Sequence, residues 1–189
     1  GLAGGSSNAA TTIKVIIKYL KLRIDKIDID RILLSLGSDV PFCYYGKTSL
    51  VSGIGETLEP IAPLPEFHLL LVNPRIDIPT KMIFSRVKSF TKTQTDYPKK
   101  ELNKKKIINV LLNTKNDLEN VVKEIHPEIG LILKIFKEET NSIFFRMSGS
   151  GATCFAFFNK KEHLRSAEIL FNGLGNHWWV KSGKILNYI

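Results

Sequence analysis

With 189 residues, 43% of them hydrophobic and 24% charged, the chain has the make-up of a globular protein that can bury a core as one large or two small domains. Lys and Arg outnumber Asp and Glu by 27 to 18, so the surface should attract anions such as nucleotides, phosphorylated metabolites or nucleic acid. The two cysteines lack metal-ligand spacing, and no apolar run reaches the ~20 residues that a membrane helix needs, which excludes a disulfide scaffold, a zinc module and a helical membrane span. Cys43 and Cys154 lie among apolar neighbours and read as buried free thiols, consistent with a reducing cytoplasm.

The chain opens Gly1-Leu2-Ala3-Gly4-Gly5-Ser6-Ser7-Asn8 and runs into a helical pattern from Ala9 to Leu22. Ala9, Ile13, Ile16, Ile17 and Leu20 recur at helical spacing, and Lys14, Lys18 and Lys21 fall on the other face, so one side should be buried. A glycine-serine loop before a helix can cradle a phosphate, because backbone N–H groups come close to an anion at the positive end of the helix dipole. A linker or frayed end has the same composition.

Asp28 or Asp30 can cap a short helix over 31–36, which Gly37 would end. Gly37-Ser38-Asp39-Val40-Pro41-Phe42 then reads as a turn that carries one carboxylate, with turn capping as the alternative use of Asp39. Residues 47–50 and 55–60 read as short extended pieces around Gly53-Ile54-Gly55. Pro60, Pro63 and Pro65 mark a stiff connector and a candidate boundary between domains at 1–64 and 65–189.

Phe67 to Val72 is a buried strand, and Pro79 starts a helix to about Val87. From Ser89 to Lys106 the residues are polar and aperiodic, which predicts an exposed loop. Its Lys99, Lys100 and Lys104 to Lys106 could touch nucleic acid or form a solvated face; Tyr97 is the sole aromatic among them. Helices follow at 107–112, after Asn116-Asp117 to Ile125, and from Pro127 to about Glu139. Two strands, 143–147 and 153–158, flank Ser148-Gly149-Ser150-Gly151; a helix over 161–171 and a strand at 178–180 close an α+β order.

Two small-residue loops and one carboxylate are the parts that phosphoryl transfer requires: donors around the phosphates and an acid that orients or deprotonates the attacking hydroxyl. A plain hairpin turn is the other reading of the second loop. The Walker pattern is absent, so the chain is not a P-loop NTPase. His68, His126, His163 and His177 have contexts that suit core or surface roles.

The opening glycine-serine stretch resembles the second motif of the GHMP kinases. Leu36 to Phe42 followed by Gly53-Ile54-Gly55-Glu56 looks like the signature of the branch that phosphorylates a cytidine-diphosphate-linked methylerythritol. Asn73-Pro74, Ile78-Pro79-Thr80 to Phe84, Asn116-Asp117-Leu118-Glu119 and Met147 to Thr153 follow in that branch's order. The resemblance implies a ribosomal S5 domain 2-like amino-terminal domain, here partial, and a ferredoxin-like carboxy-terminal domain. It also implies an ATP-dependent kinase for a small-molecule alcohol, with Mg²⁺ beside the nucleotide.

Carried over by that resemblance, Asp39 would be the catalytic aspartate, and Gly1, Leu2, Ala3, Gly4, Gly5, Ser6, Ser7 and Asn8 would hold the ATP phosphates. Gly149, Ser150 and Gly151 would be the third-motif loop. Thr80 and Phe84 would bind substrate, with Phe84 stacking on the cytosine ring; core packing is the alternative for Phe84. The family usually has Asp at the position of Asn8, and its first motif, with a catalytic lysine, lies N-terminal to the glycine loop. These departures imply a truncated chain that is inactive as given, and the resemblance implies a cytoplasmic protein without membrane or nucleic-acid partners. Rival readings are another GHMP kinase, of homoserine or mevalonate kinase type, and a basic nucleic-acid-binding module.

Overall fold

The computed structural model describes residues 1–91, 103–175 and 177–185. Lys99 and Lys100, and most of the loop expected over 89–106, lie outside the described residues. The chain forms two compact units. One comprises residues 3–63, and the other holds Gly1 and Leu2 together with the described residues from Leu64 onward.

In the smaller unit three helices surround a modest core, and a hairpin follows them. Helix α1 (Gly4–Tyr19) starts five residues earlier than its apolar pattern suggests, so Gly4 to Asn8 are helical and not a loop. Its buried stripe is also narrower than expected. Ala10 is buried and Ile13 and Ile17 partly so, whereas Ile16 and Leu20 are exposed among the described residues. Helix α2 (Lys26–Leu36) begins at Asp25, whose carboxylate caps the Asp28 N–H at 2.9 Å; neither Asp28 nor Asp30 is the cap. This adds a turn to the helix expected at 31–36.

The turn expected over 37–42 is shorter than it looked, because helix α3 (Val40–Tyr45) starts inside it, with Pro41 in its first turn where a missing N–H costs nothing. Ala10 of α1, Ile29 and Leu33 of α2 and Val40 of α3 form one core. The Tyr45 hydroxyl donates to Asp30, which Lys26 also holds at 2.6 Å, and so ties α3 to α2. Burial and the Asp30 carboxylate push the Tyr45 phenol up to about 12. Strands β1 (Ser49–Ser52) and β2 (Thr57–Pro60) pair antiparallel about Gly53-Ile54-Gly55.

The larger unit is a four-stranded antiparallel sheet in the order β4-β5-β3-β6. Its strands are β3 (His68–Asn73), β4 (Phe144–Met147), β5 (Cys154–Phe158) and β6 (Trp179–Lys184). Helices α4 (Thr80–Arg86), α5 (Lys104–Leu112), α6 (Asp117–Ile125) and α7 (Pro127–Glu138) connect β3 to β4, and α8 (Lys161–Gly173) connects β5 to β6. Strand, helices, strand, strand, helix, strand with the first strand beside the last is the ferredoxin-like arrangement. Alternation along the strands divides the apolar residues. Leu70, Val72, Ala156 and Phe158 meet Phe136 of α7 and Phe171 of α8 in the main core. Phe144, Phe155 and Phe157 pack at tilted angles on the other face, where Phe67 lies parallel to Phe157 at 5.0 Å.

Leu70 is fully buried in a central strand. Leu70→Ala is expected to cost ~2–5 kcal/mol through lost burial and the cavity left behind. Urea unfolding followed by circular dichroism would measure it, and a loss below about 1 kcal/mol would place the core elsewhere.

Candidate active site

The first turn of α1 carries donors without acceptors. Ala3 precedes it in the left-handed region (φ 49°) and offers no side-chain cap. Ser7 N–H is the first to bond within the helix, to Ala3 O at 2.9 Å, and the N–H groups of Gly4, Gly5 and Ser6 have no partner among the described residues. A Cβ built on Gly4 or Gly5 would meet nothing within 4 Å. Packing therefore does not require glycine there. What those glycines leave open is the approach of something outside the chain. With no acid in the first turn, the dipole and the free N–H groups favour an anion.

Asp39 stands in the same unit at the N-cap of α3, yet its side chain makes no capping bond. It is exposed, and its carboxylate accepts no hydrogen bond and joins no ion pair among the described residues. The capping use of Asp39 is thus not realised. Two features fix its position. Val40, the next residue, is buried in the core that holds Ala10 of α1. Behind the turn lies Gly55, buried with φ 105°, where a Cβ would sit 2.1 Å from Ser38 O. No side chain fits between the hairpin tip and this turn. Glu56 closes the tip by accepting the Ile54 N–H at 2.6 Å. Burial, and next the nearby Asp39 carboxylate, raise the Cys43 thiol, with Lys14 opposing.

In the larger unit the loop from Ser148 to Thr153 joins β4 to β5. Ser148 N–H donates to Thr153 O at 2.8 Å, and Gly151 N–H donates to Ser148 O at 2.9 Å. Gly149 and Gly151 have φ 53° and 90°, values that favour glycine. Ser148 Oγ donates to the Gly1 carbonyl at 2.6 Å, and a Cβ on Gly1 would come within 2.7 Å of Gly151 O. Thr80 Oγ1 lies 2.9 Å from Ser150 Oγ, so the start of α4 is joined to the loop.

The amino end of α6 braces the same loop. Asn116 caps α6 through Oδ1 and donates from Nδ2 to Met147 O at 3.0 Å and Gly149 O at 2.7 Å. Glu119 accepts the Met147 N–H at 3.0 Å. Asp117 accepts from Thr91, from N–H at 2.7 Å and from Oγ1 at 2.6 Å; these two donors, with lesser help from Lys115, hold its carboxyl below the usual range. Phe84 is half exposed, so core packing does not claim it, and its ring lies 6.3 Å from that of Phe90. Both rings line a cleft of about 480 Å³ whose walls include Asn116, Ser148 and Gly149.

The profile of the GHMP kinase N-terminal domain matches residues 1–47, and that of the GHMP kinase C-terminal domain matches residues 100–175. The chain belongs to the GHMP kinase superfamily. A 4-diphosphocytidyl-2-C-methyl-D-erythritol kinase of Chelativorans sp. is 37% identical over 96% of this chain and 62% of its own length. The enzyme of the same name from Paraburkholderia xenovorans is 36% identical over 89% of this chain and 57% of its own. A crystal structure of 4-(cytidine 5'-diphospho)-2C-methyl-D-erythritol kinase superposes with a TM-score of 0.72 at 25% identity, covering 95% of this chain and 65% of that one. A homoserine kinase of Cytophaga hutchinsonii reaches a TM-score of 0.55 at 13% identity, a likeness of fold alone. The chain thus spans about three fifths of the length of these curated kinases.

For this GHMP kinase chain the structure brings Gly4 to Asn8 and Asp39 into one unit, and Thr80, Phe84 and the Gly149 to Gly151 loop into the other. Gly1 and Leu2 pack with the loop's unit and not with the rest of the glycine stretch. Sequence reasoning missed the bracing by Asn116 and Glu119, the Thr91–Asp117 grip and the use of Gly55 as a spacer. A signal existed for each. Asn116-Asp117 was legible as a cap with spare donors and acceptors, and the second glycine of Gly53-Ile54-Gly55 exceeds what a hairpin turn needs.

Gly55→Ala should push the Ser38–Asp39 turn away, lower stability by ~1–3 kcal/mol and shift the Ser38 to Val40 amide resonances. Unchanged spectra would show that the turn is positioned without the hairpin. The Asp117–Thr91 grip needs the ionised carboxylate, whose pKa the Thr91 donors lower. Its contribution is complete above the ordinary Asp value near ~3.9 and is lost as pH falls through the lower folded value. The Thr91 amide proton should therefore titrate with a midpoint below that of a free Asp, and a midpoint at or above it would contradict the grip.

Proposed function

We propose that the protein phosphorylates the 2-hydroxyl of 4-diphosphocytidyl-2-C-methyl-D-erythritol with ATP, in the non-mevalonate route to isoprenoid precursors. The observation that carries this reading is the unbonded Asp39 carboxylate at the head of α3, fixed by Val40 and Gly55 in the unit that presents the uncapped first turn of α1. The named relatives supply the substrate. In this reading residues 1–64 are the remaining part of the ATP-binding domain and 65–189 the GHMP kinase C-terminal domain.

The roles follow from chemistry. The Gly4, Gly5 and Ser6 N–H groups receive phosphate oxygens, and Gly1 to Ala3 with Ser7 and Asn8 complete the nucleotide stretch. Asp39 orients the attacking hydroxyl and takes its proton as the new O–P bond forms and the bond from the γ-phosphorus to the β–γ bridging oxygen breaks, which leaves ADP. Gly149, Ser150 and Gly151 offer backbone donors in a braced loop. Thr80 contacts substrate, and Phe84 offers its exposed face to the cytosine ring.

Among the described residues no group of three His, Cys, Asp or Glu could hold a metal ion. Mg²⁺ in nucleotide sites is carried mainly by phosphate oxygens and water, so it needs few protein ligands. When bound, Mg²⁺ screens phosphate charge. No helix among the described residues is long and apolar enough to cross a membrane, and the reading requires neither a membrane nor nucleic acid; the cytoplasm is the expected place.

A coupled assay of ADP release by the full-length protein over a panel of alcohols tests the proposal. Turnover should require the cytidine-diphosphate-linked methylerythritol. Asp39→Ala should lower kcat by about 10²–10⁴-fold. Preference for homoserine or mevalonate, or normal turnover by the Asp39 variant, would overturn it.

A further inference from the structure

We propose that Phe90, held in place by Asp117, is a second base-contacting residue: with Phe84 it forms a two-ring platform for the planar pyrimidine of a cytidine nucleotide. The proposal rests on the cytidine-linked substrate proposed above, and adds to it a residue and its support. Phe84 and Phe90 are 50% and 55% exposed. Rings that only packed against each other would lose most of their surface, yet these keep about half while standing 6.3 Å apart with planes inclined at 36°. Both line the cleft of about 480 Å³ beside Ser148 and Gly149. Aromatic faces bind bases by stacking, and an inclined pair offers one face and one edge to a flat ring.

Phe90 follows the end of α4 in a stretch without regular structure, so something must hold it. That hold is Thr91, the next residue, whose N–H and hydroxyl both donate to Asp117 at 2.7 and 2.6 Å. Asp117 is the first residue of α6, and its neighbours Asn116 and Glu119 grip the loop at Met147 and Gly149. One helix end therefore sets both the ring side and the loop side of the cleft. Asp117 touches no base in this scheme; it is a positioning residue that acts through Phe90.

The test is a double-mutant cycle read by calorimetric titration of cytidine 5′-diphosphate into the full-length protein, with Phe90→Ala, Asp117→Ala and their combination. Each single change should weaken binding by about tenfold, and the double variant should bind no worse than Phe90→Ala, because Asp117 has nothing left to position. Phe90→Leu, which keeps apolar bulk without a ring face, should show most of the same loss and separates stacking from folding defects. Unweakened binding by Phe90→Ala, or losses that add in the double variant, would overturn the inference. Loss of affinity in Phe84→Ala with none in Phe90→Ala would leave the proposed function standing. If the unmodified protein takes up no cytidine nucleotide, the proposed function falls and this inference with it.

Discussion

The feature on which the smaller unit depends is the first turn of α1, whose N–H groups are neither capped nor packed away. Gly4 and Gly5 stand where any small residue would fit, and Ala3 leads in with a left-handed backbone. A helix end of this kind is costly to leave bare. An anion satisfies the donors and the dipole together. The small core of Ala10, Ile29, Leu33 and Val40 then makes the head of α3, with Asp39 unbonded beside it, part of the same compact unit as that turn.

Support for the groups at both candidate sites comes from backbone contacts more than from side-chain packing. Gly55 lets the hairpin tip touch Ser38, a contact that no other residue permits. Asn116 and Glu119 hold the β4–β5 loop through backbone atoms of Met147 and Gly149. Bonds to main-chain atoms fix where the loop lies, and its own hydroxyls make further ties, Ser148 to the Gly1 carbonyl and Ser150 to Thr80. Neutral bonds of this kind contribute about 1 kcal/mol apiece, and those to the Glu119 carboxylate somewhat more, so their value lies in geometry as much as in stability.

Much of the architecture was legible. Apolar strands around Leu70 and Phe157, the cap at Asn116, the helix start at Pro127 and the strand-helix order of an α+β unit all stand where composition and period place them. The failures have physical causes. Gly4 to Asn8 read as a loop because glycine and serine are poor helix formers, but the helix begins there. Helix α3 was hidden because a six-residue helix is too short for its period to show. Ile16 and Leu20 of α1 were expected inside and are exposed, since periodicity marks a face without saying what covers it. At the candidate site, Asp39 and the glycine loops could be picked out by residue type. Their supports carried only local hints, a cap at Asn116-Asp117 and a surplus glycine at Gly55, because the partners Thr91 and Ser38 lie far off in the sequence.

The most direct test of the account is to follow backbone amide resonances of the full-length protein while ATP is added. The Gly4, Gly5 and Ser6 amides should show the largest shifts, as their free N–H groups take up phosphate oxygens, with smaller movements at Asp39 and Val40. Shifts confined to the lysines of α5, with the first turn of α1 unmoved, would contradict it.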